Sequence, residues 1–278
     1  MVYVMSDIHG CYQEFLELLK LIEFSEQDEL YIVGDMLDRG PGPIPLLLDL
    51  MARPNVYPML GNHDYMALTV LKKLNVEITE ENFESHLSQD DFVNYMYWME
   101  DGGSTTVNQF ARLDVEEREA ILEYLEECTV LEEIEMKGRR YILVHADMPP
   151  RDAGARLADP KQSAAQEEAY ADGPDMGEPD VGGTYLDEVD LDEPDEALVY
   201  VRDGDVVEEL RSYDLADLIF HRADYERRYF EDEGTFLVTG HTPTFGIRAD
   251  GRPLVYEENG HIAIDCGCVF GGNLAAYR

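Results

Sequence analysis

Short apolar runs that stop abruptly at polar residues recur along this chain. Residues 2–5, 31–33 and 56–60 are three such runs, and each is followed by a stretch whose apolar side chains repeat with helical spacing. Runs of this length predict buried strands, and the spaced residues after them predict amphipathic helices. Three strand-loop-helix units in succession predict a largely parallel sheet, with the polar loops gathered along its carboxyl edge.

The later part of the chain changes character twice. Residues 65–128 predict mainly helices, and strand-like runs return at 130–135, 141–144, 236–238 and 262–265. Between 151 and about 195 the sequence is rich in Ala, Asp, Glu, Gly and Pro, which predicts a flexible surface segment with little to bury. We expect one α/β domain over residues 1–278, with a helical insertion at about 65–128 and an acidic insertion at about 151–195.

The loop after residues 31–33 is the most highly charged of the strand ends. Asp35, Asp38 and Arg39 follow Gly34, and a helix is expected to begin at Pro41. Two carboxylates and a guanidinium are costly to hold on one short loop unless something there needs both signs of charge. A metal ion and a phosphate group would meet that need.

Composition limits the partners that the protein can have. The chain is 45% apolar and carries a formal net charge of -39, with only 21 Lys and Arg residues. The apolar share predicts a globular protein with a sizeable core. The negative charge argues against a nucleic-acid backbone or an anionic membrane surface as partner, because both would be repelled.

The lack of a recognisable targeting signal and the spacing of the cysteines predict a cytoplasmic protein. The first residues lack the pattern of a signal peptide, and no apolar run is long enough to span a bilayer. The four cysteines form no paired framework, as is typical of reduced thiols. Cys266 and Cys268 leave two interpretations open, a soft-metal pair or two strand residues pointing to one side, and the second is favoured.

Potential metal ligands follow five of the predicted strands: Asp7 and His9, Asp35, Asn62, His145, and His241. Divalent ions accept this mixture of carboxylate, imidazole and amide, and two ions about 4 Å apart would share one carboxylate. Asp35 is the natural bridge. His63 also follows a strand, whereas His86, His221 and His261 lack this setting and are expected to be structural.

These motifs, taken in order, resemble the phosphoprotein phosphatase family of the calcineurin-like metallophosphoesterases, in particular its bacterial serine/threonine phosphatases. The family pattern is GD-x-HG, GD-x-x-DRG, GNH[DE], and later H and GH motifs. The matching segments here are Asp7-Ile8-His9-Gly10, Gly34-Asp35-Met36-Leu37-Asp38-Arg39-Gly40, Gly61-Asn62-His63-Asp64, His145 and Gly240-His241. The resemblance runs from residue 2 to about 272. The chain departs from the pattern at Ser6 and Asp147, where the family usually has Gly.

The resemblance implies a fold, a metal centre and a set of roles. The fold would be a four-layer α/β/β/α sandwich. Two divalent ions, manganese first and iron or zinc as alternatives, would be held by two ligand sets: Asp7, His9 and Asp35 for one, and Asp35, Asn62, His145 and His241 for the other. A hydroxide shared by the ions would attack phosphorus in line. Asp38 and His63 would form the acid pair that protonates the leaving group, and Arg39 would clamp the phosphoryl oxygens.

Two further assignments leave alternatives open. A W-x-R-like segment in bacterial members nominates Arg222 as a second phosphate-binding arginine, Arg202 is a rival, and either could be an ordinary surface residue. Residues 102–106 resemble a G-G-x-x-T stretch near the substrate groove of bacterial members. On physical grounds the same stretch is favoured as a helix boundary with Ser104 or Thr105 as its cap.

Three functions are weighed. The first is a phosphomonoesterase that acts on phosphoserine, phosphothreonine or phosphotyrosine in proteins, or on a small phosphoester. The alternative enzyme is a bis(5'-nucleosyl)-tetraphosphatase, which resembles the same family. Asp38 and Arg39 favour the phosphomonoesterase, because an alkoxide leaving group needs an acid more than a nucleotide phosphate does. A non-catalytic scaffold would be expected to have lost Asp38, Arg39 or His63, and all three are present.

Overall fold

The amino-terminal part of the chain alternates strands and helices around a parallel sheet. The structure is a computed structural model that describes residues 1–76, 87–148 and 213–278. Its first elements are β1 (Val2–Met5), α1 (Tyr12–Leu21), β2 (Glu29–Val33), α2 (Pro43–Met51), β3 (Val56–Met59) and α3 (Asn62–Leu74). The strands pair in parallel in the order β1-β2-β3. This confirms the predicted parallel sheet, and it brings the three polar loops to one edge.

Helices dominate the next part of the chain, as the pattern predicts. They are α4 (Gln89–Trp98), α5 (Ser104–Phe110) and α6 (Val115–Glu126), and a π-helical turn at Met99–Gly103 joins α4 to α5. The side chains of Ser88 and Asp114 accept hydrogen bonds from backbone N–H groups in the first turns of α4 and α6, which fixes where these helices begin. The division into one domain with two insertions stays a prediction.

A second, mixed sheet follows. Its elements are β4 (Leu131–Met136), β5 (Arg139–Val144), α7 (Leu215–Ile219), β6 (Thr235–Thr239), α8 (Thr244–Ile247), β7 (Tyr256–Glu258), β8 (His261–Ala263) and a 3-10 turn (Cys268–Phe270). The strand order is β4-β5-β6-β8-β7. The three inner strands are parallel, whereas β4 and β7 pair antiparallel at the edges. The parallel strands again deliver their following loops to one edge.

The two sheets pack face to face, and helices cover their outer faces. One apolar cluster joins side chains of both sheets: Val4, Val33, Met59, Leu143, Val238, Ile262 and Ile264. Neighbouring strand residues belong to a second apolar cluster that they share with helices: Ile32, Ile142 and Leu237 of the strands lie in it together with Leu47 of α2 and Leu218 of α7. These layers confirm the predicted α/β sandwich.

The start of α2 differs from the prediction. The helix begins at Pro43 rather than Pro41, because the preceding residues are tied to the first loop. Gly40 N–H donates to His9 O at 2.9 Å, and Gly42 N–H donates to Gly10 O at 2.8 Å. These bonds hold the chain out of helical geometry for two more residues.

Three other predictions meet the structure here. Cys266 follows β8, and Cys268 begins the 3-10 turn after a left-handed Gly267, so their interpretation as two strand residues is wrong. The acidic segment at about 151–195, His86 and Arg202 lie outside the described residues. Among the residues that the structure describes, no helix is long and apolar enough to cross a membrane.

Candidate metal centre and its surroundings

The six predicted ligands lie together where the strands of both sheets end. Nε2 of His145 and Nδ1 of His241 each lie 3.1 Å from Oδ1 of Asn62. The backbone N–H of His241 donates to both carboxylate oxygens of Asp7, at 3.0 and 3.1 Å. Residues from four distant parts of the chain therefore lie together.

Asp35 occupies the middle of the cluster. Its Oδ2 lies 3.4 Å from Nε2 of His9 and 3.4 Å from Nε2 of His145. Its Oδ1 accepts the backbone N–H of His63, at the start of α3, at 3.0 Å. One carboxylate oxygen thus lies 3.4 Å from two imidazole nitrogens, an arrangement that suits a bridging ligand.

The donor geometry suits a metal ion. With bonds of about 2.1 Å, neighbouring ligands of one ion lie roughly 3 Å apart, close to the spacing of these donors. Nδ1 of His9 lies 2.9 Å from Leu37 O, and Nδ1 of His145 lies 2.9 Å from Val33 O. A carbonyl requires N–H at Nδ1, so Nε2 is the nitrogen that both rings turn toward the cluster, the usual support for a metal-binding histidine.

Buried negative charge also favours cations here. Asp7, Asp35 and Asp265 are each no more than 4% exposed. Burial and the charge of Asp265 raise the pKa of Asp7 well above its usual value, and burial raises the pKa of Asp265 to about 6. Carboxylates this close and this dry are costly unless positive charge lies among them.

The backbone at the centre is mostly left-handed. Six of the predicted site residues have φ between 44° and 69°: Asp7, His9, Asp35, Asp38, Arg39 and His241. Non-glycine residues seldom adopt this conformation, and such strain collects at functional sites. Gly34 has φ of 76°, and a Cβ there would lie 2.5 Å from Nδ1 of His145. Only glycine fits at this position.

Asp64 braces two of the loops. Its carboxylate accepts backbone N–H groups from Met36 at 3.0 Å, Leu37 at 3.1 Å and Gly61 at 3.1 Å. The carboxylate is fully buried, and burial raises its pKa to about 7. It fixes the loop that carries Asp35 against the loop that carries Asn62.

His63 and Asp38 form the predicted pair, and two helices hold it. Nδ1 of His63 lies 2.9 Å from Oδ2 of Asp38. Trp98 Nε1–H donates to the same oxygen at 2.8 Å. The Thr106 hydroxyl donates to Oδ1 of Asp38 at 2.6 Å and accepts the backbone N–H of Asp38 at 3.0 Å. Asp38 is fully buried, so these contacts fix its orientation.

Asp101 contacts both His63 and Arg39. Its Oδ2 lies 3.2 Å from Nε2 of His63, and its Oδ1 accepts from the Arg39 guanidinium at 2.7 Å. Burial alone would lower the pKa of His63, but the carboxylates of Asp35, Asp101 and Asp38 raise it to about 10. The three carboxylates around the imidazole therefore favour its protonated form. The other face of the Arg39 guanidinium lies 5.2 Å from the ring centroid of Phe270.

Arg222 is exposed, and its charge lowers the pKa of His241 after the larger effects of burial and His145. Its role as a second phosphate-binding arginine stays a prediction. Asp147, one of the departures from the family pattern, accepts a hydrogen bond from the Tyr229 hydroxyl at 2.6 Å. Ser6, the other departure, is buried beside Gly240.

Sequence reasoning missed several residues around the site. It named Trp98 and Thr106 only as parts of segments, and it gave Asp101 no role. Ser104 does begin α5, but the predicted cap is wrong, because no side chain caps this helix and Gly103 stands at its N-cap. Asp265 follows an apolar strand as the predicted ligands do, and that pattern could have found it.

The fold and the site define a metal-dependent phosphoesterase of the hydrolase class. The protein-family model described as "Calcineurin-like phosphoesterase" matches residues 1–221 of this chain. The chain belongs to that family, and the family implies divalent metal ions at a centre of this kind.

Curated relatives of the chain bear one recurrent name. A "Bis(5'-nucleosyl)-tetraphosphatase, symmetrical" of Buchnera aphidicola is 36% identical over 100 residues, which cover 35% of this chain and 37% of that protein. A protein of the same name from Coxiella burnetii is 31% identical over 150 residues, 54% of this chain and 42% of that protein. The matched region thus spans well under half the length of these relatives.

A solved structure described as a candidate diadenosine tetraphosphatase is also similar. It is 19% identical, with a TM-score of 0.48, and the comparison covers 99% of this chain and 87% of that one.

Proposed function

We propose that this protein hydrolyses bis(5'-nucleosyl) tetraphosphates such as diadenosine tetraphosphate. Two curated relatives that carry this activity in their names support the proposal, and the matched region of the first covers about a third of this chain. They favour the alternative over the phosphoprotein phosphatase that the sequence motifs ranked first. The relatives' names give no support to a phosphoprotein substrate.

Two divalent ions are assigned to the six clustered residues. Asp7, His9 and Asp35 would hold one ion, and the other would be held by Asp35, Asn62, His145 and His241. The spacing of the donors and the backbone bonds at Nδ1 of His9 and His145 support this assignment. Divalent ions at such a site make a nucleophile from water at neutral pH and neutralise phosphoryl charge.

The remaining roles belong to side chains next to the ligands. Arg39 is positioned to pair with phosphoryl oxygens, because a guanidinium donates two parallel hydrogen bonds to such groups. His63 is placed to donate a proton from Nε2, since its Nδ1 is held by Asp38. Asp101 now occupies the Nε2 side, so a leaving-group oxygen must replace its Oδ2 there.

A phosphomonoesterase is the second candidate, and the His63–Asp38 pair favours it. An alkoxide leaving group gains most from a protonated imidazole, whereas a nucleoside diphosphate leaves as a weaker base. The same pair argues against a non-catalytic scaffold, since Asp38, Arg39 and His63 are all present at the site.

Turnover on matched substrates tests the ranking. We expect the manganese-loaded protein to have a higher kcat/KM for diadenosine tetraphosphate than for a phosphoserine peptide. A higher kcat/KM for the peptide would reverse the ranking. No turnover of either compound, or of nitrophenyl phosphate, with metal bound would favour the scaffold.

Arg39→Ala tests whether any turnover arises at this site. Loss of a group that stabilises transition-state charge typically costs about 100-fold or more in kcat. Arg53→Ala is the matched control, because Arg53 pairs with Asp49 within α2 and its loop. Equal activity of the two variants would remove Arg39 from the proposed site.

A further inference from the structure

Two exposed phenylalanines stand beside the candidate centre. Phe245 is 39% exposed and Phe270 is 41% exposed. Single exposed apolar side chains are common on proteins and require no explanation. These two are different because both contact Gly267, two residues after Asp265, and because Phe270 also contacts the guanidinium of Arg39.

Phe245 is fixed to this segment through Gly267. Its ring packs so closely on Gly267 that a Cβ there would lie 3.0 Å from Cδ1 of the ring. Thr244, the residue before it, donates its backbone N–H to Asp265 O at 2.8 Å. Asp265 in turn lies close enough to Asp7 to raise the pKa of that carboxyl. The ring is thus tied to the loop that follows Asp265, next to the proposed ligands.

Phe270 is fixed to the same glycine from the other side. Its backbone N–H donates to Gly267 O at 3.0 Å, which closes the 3-10 turn. Its ring faces the guanidinium of Arg39 at 5.2 Å. A substrate phosphoryl group bound by Arg39 would therefore lie next to an aromatic side chain that is partly exposed to solvent.

We propose that Phe245 and Phe270 form a subsite on which a nucleobase of the substrate stacks. This inference rests on the proposed function, in which each reacting phosphate chain carries a nucleoside. Every nucleobase offers a flat π-face, and stacking on aromatic side chains strengthens binding by about 5-fold or more per base without reading its identity. Both purine and pyrimidine nucleotides would gain from such a surface.

A pair of non-hydrolysable ligands distinguishes the affinity due to the nucleoside from the affinity due to the phosphate groups. Methylenediphosphonate and α,β-methylene adenosine diphosphate share the same phosphate chemistry, and only the second carries a nucleoside. Calorimetry on the metal-loaded protein should give a Kd for the nucleotide at least about 5-fold below that of the diphosphonate. Phe245→Ala and Phe270→Ala should each reduce this preference and leave the Kd of the diphosphonate within about twofold.

The control variant is Phe92→Ala. Phe92 is 61% exposed on α4, where it lines a groove with Thr69 and Leu74. Loss of the Phe92 ring should leave the Kd of the nucleotide and the Kd of the diphosphonate unchanged. If it weakened nucleotide binding as much as the two site variants, the effect would belong to general loss of apolar surface.

Three results would overturn the subsite. The wild-type protein could bind the two ligands equally well, or Phe270→Ala could weaken both ligands alike, which would make Phe270 a support for Arg39. If Phe245→Ala or Phe270→Ala kept the full preference for the nucleotide over the diphosphonate, the ring removed in that variant would be excluded from the subsite. Turnover of diadenosine tetraphosphate is measured separately. Its absence together with base-selective binding would reject the proposed reaction and keep the subsite.

Discussion

Replacing Thr106 with valine isolates the support that α5 gives to Asp38. The two side chains have nearly the same shape, so the change removes the hydroxyl and little else. That hydroxyl donates to Oδ1 of Asp38 at 2.6 Å and accepts the Asp38 N–H at 3.0 Å. Both residues are fully buried, and water cannot replace either bond without a rearrangement.

The expected cost follows from these two bonds. A hydrogen bond to a charged acceptor contributes about 1.5–3 kcal/mol, and a buried N–H left without a partner costs about 1–3 kcal/mol. Thr106→Val should therefore lower the free energy of unfolding by about 3–5 kcal/mol. For a chain of this size that corresponds to a fall in Tm of roughly 10 °C.

Urea denaturation, monitored by fluorescence, measures the free energy of unfolding. Thr105→Val is the matched control, because its hydroxyl lies 3.5 Å from Gly102 O, too far for a strong bond. The control should stay within about 0.5 kcal/mol of the wild type. If Thr106→Val were equally mild, the bonds to Asp38 would not be stabilising the fold.

Activity gives a second, independent readout of the same change. If Thr106 orients Asp38 and, through it, His63, the variant should lose more kcat on an alkyl phosphate than on nitrophenyl phosphate, whose leaving group needs no acid. An equal loss on both substrates would mean that the bonds matter for stability alone.

Three other perturbations have defined outcomes. His63→Ala should keep its metal content, measured by atomic emission, and should slow cleavage of an alkyl phosphate far more than that of a nitrophenyl ester; equal slowing would reject the leaving-group role. Gly34→Ala should lower the free energy of unfolding by about 3 kcal/mol or more, seen as a lower urea midpoint, because a Cβ there meets His145 Nδ1 at 2.5 Å. A midpoint unchanged from wild type would contradict this. Burial lowers the pKa of His261 from 6.5 to about 4, so the unfolded chain binds its proton first and stability falls as pH drops from 6.5 towards 4. Between pH 7 and 5 this amounts to about 2 kcal/mol, and His261→Gln should remove that slope in urea titrations.

The clustering of the proposed ligands could be predicted from sequence because their positions depend on local pattern. An apolar run of four or five residues ends, the chain turns, and a carboxylate or imidazole stands at the sheet edge. Asp7, Asp35 and His145 all follow this rule. Parallel pairing of β1 with β2 brings Asp7 and Asp35 together, and the packing of the second sheet against the first adds His145.

The supporting residues could not be predicted in the same way. Trp98 and Thr106 meet Asp38 across 60 and 68 positions of the chain. No periodicity links such positions, and only the packing of α4 and α5 against the strand edge creates the contacts. Asp101 sits beside Gly102, whose φ of 107° and the π-helical turn around it aim the carboxylate at Arg39. The start of α2 shifted for a similar reason, since bonds to a distant loop overrode the local preference for a helix.

The six site residues with left-handed backbone limit the thermal stability that this chain can reach under selection. Each costs about 1 kcal/mol or more relative to glycine, which adopts that conformation freely. Judged by backbone strain alone, a laboratory lineage selected only for heat resistance would gain by exchanging Asp7, His9 or His241 for glycine, and it would lose the side chains of the proposed metal centre. A lineage selected for turnover has to gain thermal stability elsewhere. In this molecule, part of the conflict between stability and activity therefore lies in a handful of backbone torsions.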